Sequence, residues 1–175
     1  MKRVILCPNP GRDRELTATL RAEGILRELG FETVICSPFR SQKEEDFPGA
    51  KLRPLLPEMQ RADLLITFGG DGTILHLAKL TALNQVPVLG INMGSLGFIA
   101  ELEAGEIELL RKIPQGDYTV EERTMLDVSV TGGRQTLFHE TALNDAVITK
   151  GAIARVVQLS ITCDGVEATS FSGDG

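Results

Sequence analysis

Residues 69–73 read Gly-Gly-Asp-Gly-Thr, one carboxylate set among three glycines. The apolar run "DLLITF" at 63–68 leads in, and a second apolar stretch leads out over 73–83. This is the pattern of a strand, a turn and a helix. In an open parallel sheet such a turn emerges at the carboxyl edge, where ligands bind. Glycine there admits positive φ and lets a ligand approach the backbone. Successive N–H groups can surround an anion, and the start of the helix adds partial positive charge. A phosphate suits that cradle, yet a carboxylate repels it. Asp71 makes sense if it takes a proton from a hydroxyl that attacks the phosphate, or if it shares a Mg²⁺ with it. The structural alternative is a tight turn with Asp71 as helix N-cap, but an N-cap does not require glycine on both sides. The stretch matches neither GxxxxGK[ST] nor GxGxxG.

The elements that must position this carboxylate lie in the first hundred residues. "RVILC" (3–7) is a short apolar strand closed by "PNPG". Residues 12–29 carry Leu16, Leu20, Ile25, Leu26 and Leu29 near helical spacing, with Gly30 closing the helix. "FETVIC" (31–36) and "VPVLGIN" (86–92) are further strands, while 37–57, rich in proline and charge, reads as a loop or flap. Near-continuous apolar strands alternating with helices mean a parallel sheet covered on both faces.

Beyond residue 101 the pattern changes. "AGEIELLRKI" (104–113) reads as one helix, followed by alternating strands with turns at "TGG", "KG" and "CDG". The expected organisation is an α/β nucleotide-binding domain over 1–100 and part of an antiparallel, sandwich-like β domain over 101–175. That second region has too few strands to close its sheets, so the chain is expected to be truncated within a domain.

A net charge of −6 argues against nonspecific binding to nucleic acid or anionic membranes. There is no tryptophan and one tyrosine, so a stacking platform for single strands is not expected. Cys7, Cys36 and Cys163 show no CxxC and read as reduced thiols in or near a core. The apolar run near the N-terminus is too short for a signal peptide, and none approaches the roughly 18 residues of a membrane span. A soluble, cytoplasmic protein is expected.

GGDGT is similar to the motif shared by NAD kinases, diacylglycerol-type lipid kinases and, more loosely, phosphofructokinases. Other segments select among these. "GINMGSLGF" (90–98) resembles the NxGxLGF segment of NAD kinases, and "EERTML" (121–126) resembles their entry strand into the second domain. "ALNDAVITKGAIARVVQLSITCDG" (142–165) resembles their Asn-Glu/Asp segment and the next strand, and "SGDG" (172–175) resembles the residues before their TPTGSTAY stretch. The chain is therefore similar to the N-terminal portion of an NAD kinase.

That resemblance implies transfer of the γ-phosphoryl of ATP, or of polyphosphate, to the 2′-hydroxyl of the adenosine ribose of NAD, giving NADP. It implies a divalent metal such as Mg²⁺ arriving with the nucleotide, with Asp71 its one candidate contact, and a homo-oligomer, dimer or tetramer, in the complete protein. Asp71 aligns with the family's proton acceptor, and Gly69, Gly70, Gly72 and Thr73 with its phosphate and NAD cradle. Asn92, of the NxGxLGF segment, is implied as a further nucleotide-binding residue. His76 aligns with an often basic position within reach of a phosphate; it could equally be a solvated helix residue. Phe98 aligns with an aromatic near the adenine; its alternative is a core phenylalanine. Asn144 and Asp145 align with the pair that reads the adenine and ribose hydroxyls. Within the apolar run "LNDAVI" they read as strand residues in need of partners. Arg155 aligns with an often basic contact, or is a surface residue, and Asp174 with an acidic one. The chain alone is expected to be inactive. A lipid kinase would present an apolar or basic membrane-facing surface, which the net charge opposes. A nucleotide-binding module without catalysis is the alternative from another class.

Overall fold

The computed structural model describes residues 2–39, 45–47, 49–94, 97–150 and 156–173. The chain divides into two compact units, Met1–Thr124 and Met125–Gly175.

In the first unit, strand β1 (Arg3–Pro8) leads through a 3₁₀ turn (Arg14–Leu16) into helix α1 (Thr17–Glu28) and strand β2 (Glu32–Ile35). A short hairpin of β3 (Glu45–Phe47) and β4 (Ala50–Leu52) and a five-residue helix α2 (Leu55–Met59) follow. These occupy the segment expected as a loop; strands of three residues are too short to show a period. Then come β5 (Leu64–Gly69), helix α3 (Asp71–Leu83), β6 (Val88–Asn92), the two-residue β7 (Leu102–Glu103) and a 3₁₀ helix over Ala104–Gln115. Five strands form one parallel sheet in the order β2-β1-β5-β6-β7.

Alternation along the strands builds a core on each face. Val4 and Leu6 of β1, with Ile66 and Phe68 of β5, pack with Leu16, Ala22 and Leu26 of the α1 region and with Ile107 and Leu110. Ile5 and Cys7 of β1, with Leu65 of β5, pack on the other face with Leu55, Met59 and Leu77. Burial on both sides is why these strands read as unbroken apolar runs. The first unit runs past the expected boundary near residue 101. The reason is packing: β7 extends the sheet, and Ile107 and Leu110 are each 1% exposed in its core.

The second unit holds two antiparallel pairs, β8 (Leu126–Gly132) with β9 (Gln135–Ala142) and β10 (Val157–Cys163) with β11 (Val166–Gly173). The expected succession of an open parallel sheet followed by antiparallel strands is thus present. No described residue beyond Leu110 is buried. Among the described residues, no helix is long and apolar enough to cross a membrane.

Candidate functional site

In the order β2-β1-β5-β6 the connections leave β1 and β5 in opposite directions across the sheet. Their loops diverge at the carboxyl edge and open a crevice there. The crevice is a cleft of about 340 Å³, lined from three loops. Asn9 and Arg12 follow β1, residues 69–73 follow β5, and Asn92, Gly94 and Gly97 follow or end β6; Phe39 closes one side.

Gly70 is the extended N-cap of α3, and Asp71 is its first residue, with no side-chain cap bond formed there. The N-cap alternative for Asp71 is therefore not realised. None of the glycines in GGDGT adopts positive φ. Their value is closeness: a Cβ on Gly69 would collide with Thr73 Oγ1, while Gly70 and Gly72 leave open space beside the backbone.

The Asp71 carboxylate turns toward the chain after β6. Its Oδ2 accepts the Phe98 N–H at 2.8 Å, and its Oδ1 accepts the Ile99 and Ala100 N–H groups at 3.2 and 3.4 Å. A Cβ on Gly97 would strike this carboxylate, so glycine is what allows the approach. The Phe98 N–H is the largest cause holding the Asp71 carboxyl below the usual range. The other two N–H groups and the Arg123 charge add to it, against some desolvation. Asp71 is ionised and fixed in direction.

Other expected residues fall into distinct places. Gly69, Gly70, Asp71, Gly72, Thr73 and Asn92 line one cleft. Asn92 is 2% exposed; its Nδ2 donates to both Glu103 carboxylate oxygens and its Oδ1 accepts the Gly94 N–H, so it shapes the loop. His76 is exposed one turn into α3, its ring tilted against Phe39 with centroids 5.7 Å apart. Phe98 is 95% exposed, which rules out the core alternative. Asn144 and Asp145 lie after the end of β9, exposed and outside any strand, contrary to the strand expected there. Val147 and Ile148 beside them are exposed as well, so the apolar run has no core to enter. Arg155 and Asp174 lie outside the described residues.

Asn9, Arg12 and Phe39 were not singled out by sequence reasoning; Gly94 and Gly97 belong to the NxGxLGF segment and Arg123 to EERTML, without a role assigned to them there. A signal existed for Asn9 and Arg12: they follow a parallel strand as GGDGT does. Asn9 Nδ2 donates to Thr73 Oγ1 at 3.4 Å, tying the first loop to the third-strand loop across the cleft. For Phe39 nothing in the sequence marks a site.

Among the described residues no three His, Cys, Asp or Glu side chains gather as metal ligands. Asp71 is the one carboxylate in the cleft lining, and its oxygens already accept three N–H groups. The described residues therefore do not fit a metal site made by protein alone.

An α/β unit with a glycine-bracketed carboxylate at its strand-order switch defines the class of open parallel-sheet domains that bind ligands at the carboxyl edge. A model of the ATP-NAD kinase N-terminal domain matches residues 15–118. The NAD kinase of Geotalea daltonii is 44% identical over 117 residues, 66% of this chain and 41% of that one. The NAD kinase of Natranaerobius thermophilus is 34% identical over 178 residues, 100% of this chain and 60% of its own. The chain belongs to the NAD kinase family, and it spans 41% and 60% of the length of these two relatives. The crystal structure of yeast NADH kinase complexed with NADH shares the fold, with a TM-score of 0.77 at 22% identity, over 99% of this chain and 56% of that one.

Proposed function

We propose that this protein is an NAD kinase, transferring the γ-phosphoryl of ATP, or a phosphoryl of polyphosphate, to the 2′-hydroxyl of the adenosine ribose of NAD. The observation that carries the reading is Asp71. A carboxylate that three backbone N–H groups and a nearby guanidinium keep ionised stands in the cleft wall at the first turn of α3. An ionised carboxylate can accept the hydroxyl proton, and its tethering removes the need to orient it during the reaction. The bare backbone at Gly70 and Gly72, with the N-terminus of α3, supports a phosphate on the same side. The family match supports NAD as acceptor. In this reading His76 and Phe98 lie at the rim, and the resemblance assigns recognition of the adenine and ribose hydroxyls to Asn144 and Asp145. Mg²⁺ would enter bound to the donor's phosphates, where it neutralises charge.

Asp71→Asn in the complete protein tests this directly. NADP formation should fall by at least about 10²-fold, the scale of general-base catalysis, while NAD still binds. Unchanged turnover with weakened NAD binding would make Asp71 a binding residue and the domain a nucleotide-binding module.

A further inference from the structure

Among the described residues, two charged side chains line the cleft, Asp71 and Arg12. Asp71 is engaged by the backbone of residues 98–100. Arg12 is engaged by nothing: among the described residues its side chain has no ion pair and no hydrogen bond. Its backbone, in contrast, is fixed. The Arg12 N–H donates to the Asn9 carbonyl at 2.9 Å. The next residue, Asp13, is 1% exposed and its carboxylate accepts the N–H groups of Ala18 and Thr19. The guanidinium lies over the bare backbone of Gly94, where a Cβ would come within 2.8 Å of it. A rooted cation with a free head faces the cleft opposite the start of α3.

We infer that Arg12 binds the polyphosphate of the phosphoryl donor and holds the transferred group toward Asp71. This rests on the phosphotransferase reading above. The guanidinium fork matches phosphate oxygens two at a time and stays charged at any working pH. Phosphoryl transfer is catalysed by positioning and by charge. A polyanion entering beside an ionised Asp71 needs compensation, and among the described lining residues Arg12 is the cation without another partner. The acceptor, NAD, also carries a pyrophosphate. Transfer, however, requires the donated phosphoryl within about 3–3.5 Å of the hydroxyl that Asp71 serves. The transferred group therefore has to enter the cleft that Asp71 and Arg12 share; the acceptor's pyrophosphate does not.

The test compares Arg12→Ala and Arg12→Lys with the unmodified protein, all in the complete chain. Binding of inorganic tripolyphosphate is measured by calorimetry, and KM and kcat are measured for ATP and NAD. Arg12→Ala should weaken tripolyphosphate binding and raise KM for ATP about 10- to 100-fold, the worth of a charged hydrogen-bonded contact. KM for NAD and the thermal unfolding midpoint should not move. Arg12→Lys should recover part of the loss, keeping the charge without the fork. Unchanged tripolyphosphate binding in Arg12→Ala would overturn the assignment, as would absence of such binding in the unmodified protein. A rise in KM for NAD alone would also overturn it, placing the guanidinium on the acceptor. If the complete protein binds tripolyphosphate through Arg12 but forms no NADP, the phosphate subsite stands and the phosphotransferase reading fails.

Discussion

Asp71 is set by its neighbours more than by its own position in GGDGT. Three N–H groups from residues 98–100 reach it because Gly97 has no side chain in the way. Gly97→Ala should displace those donors, raise the Asp71 pKa and cut NADP formation at least about tenfold, with NAD binding less affected, since misplacing a reacting group costs rate before it costs affinity. A pH–rate profile checks both effects. In the unmodified protein the acid limb due to Asp71 should fall below the ordinary carboxylate value of about 3.9. In Gly97→Ala it should move up. Folding lowers this pKa, so the carboxylate's contribution to stability is complete above about pH 4 and disappears as pH drops through the folded value. The urea midpoints of the unmodified protein and Asp71→Asn should accordingly stay apart near neutral pH and converge as pH falls below about 4. A gap that stays constant with pH would mean that the carboxylate is not held by charge-dependent bonds.

At the scale of elements, the loop after β1 depends on Asp13. Its carboxylate accepts the Ala18 N–H at 3.0 Å, the Thr19 N–H at 3.0 Å and the Thr19 hydroxyl at 2.6 Å, all buried. It caps α1 from outside the helix, where Leu16 at the N-cap has no polar side chain. Asp13→Ala should cost about 2 kcal/mol in denaturant unfolding, the upper end for a lost helix cap, and should weaken tripolyphosphate binding because Arg12 is the adjacent residue. The parallel strands and both long helices could be read from the sequence because burial on two faces leaves unbroken apolar runs. The β3–β4 hairpin and β7 could not: two or three residues have no period, and their pairing is decided by neighbours distant in sequence. GGDGT was legible because three glycines around a carboxylate have few structural uses. Arg12 was not, because its meaning comes from strand order, which places its loop beside that of β5. The strand expected through Asn144 and Asp145 failed for a related reason. Apolar residues make a strand only where a partner edge and a core exist, and Val147 and Ile148 find neither among the described residues.

For the whole molecule, the two units differ in how much they bury. Every buried residue described lies between Arg3 and Leu110. Brief trypsin treatment should therefore cut first at exposed Arg123 and Arg134, leaving a resistant fragment that ends near Arg123, identified by mass spectrometry; cleavage within β1 or α1 at equal rate would contradict this. The thiols divide in the same way. Burial pushes the Cys36 thiol up to about 12, and burial with the neighbouring Cys36 pushes Cys7 higher than its usual value, while Cys163 is exposed. That exposure departs from the expected core or near-core place of all three thiols. A thiol reagent at pH 8 should label one cysteine rapidly and two only on unfolding.

The place of β5 in the sheet has a kinetic consequence. It pairs with β1 on one side, Val4 against Leu64, and with β6 on the other. During synthesis β1 emerges long before its second neighbour exists, and closing so long a loop is slow compared with forming α1. Asn9 and Arg12 then hang from a half-paired strand until β5 arrives. A ligand that spans the loops after β1 and β5 can join only a chain that has passed this step. Nucleotide should therefore slow unfolding strongly and hardly alter the refolding rate, because its contacts are absent from the barrier that the chain crosses first.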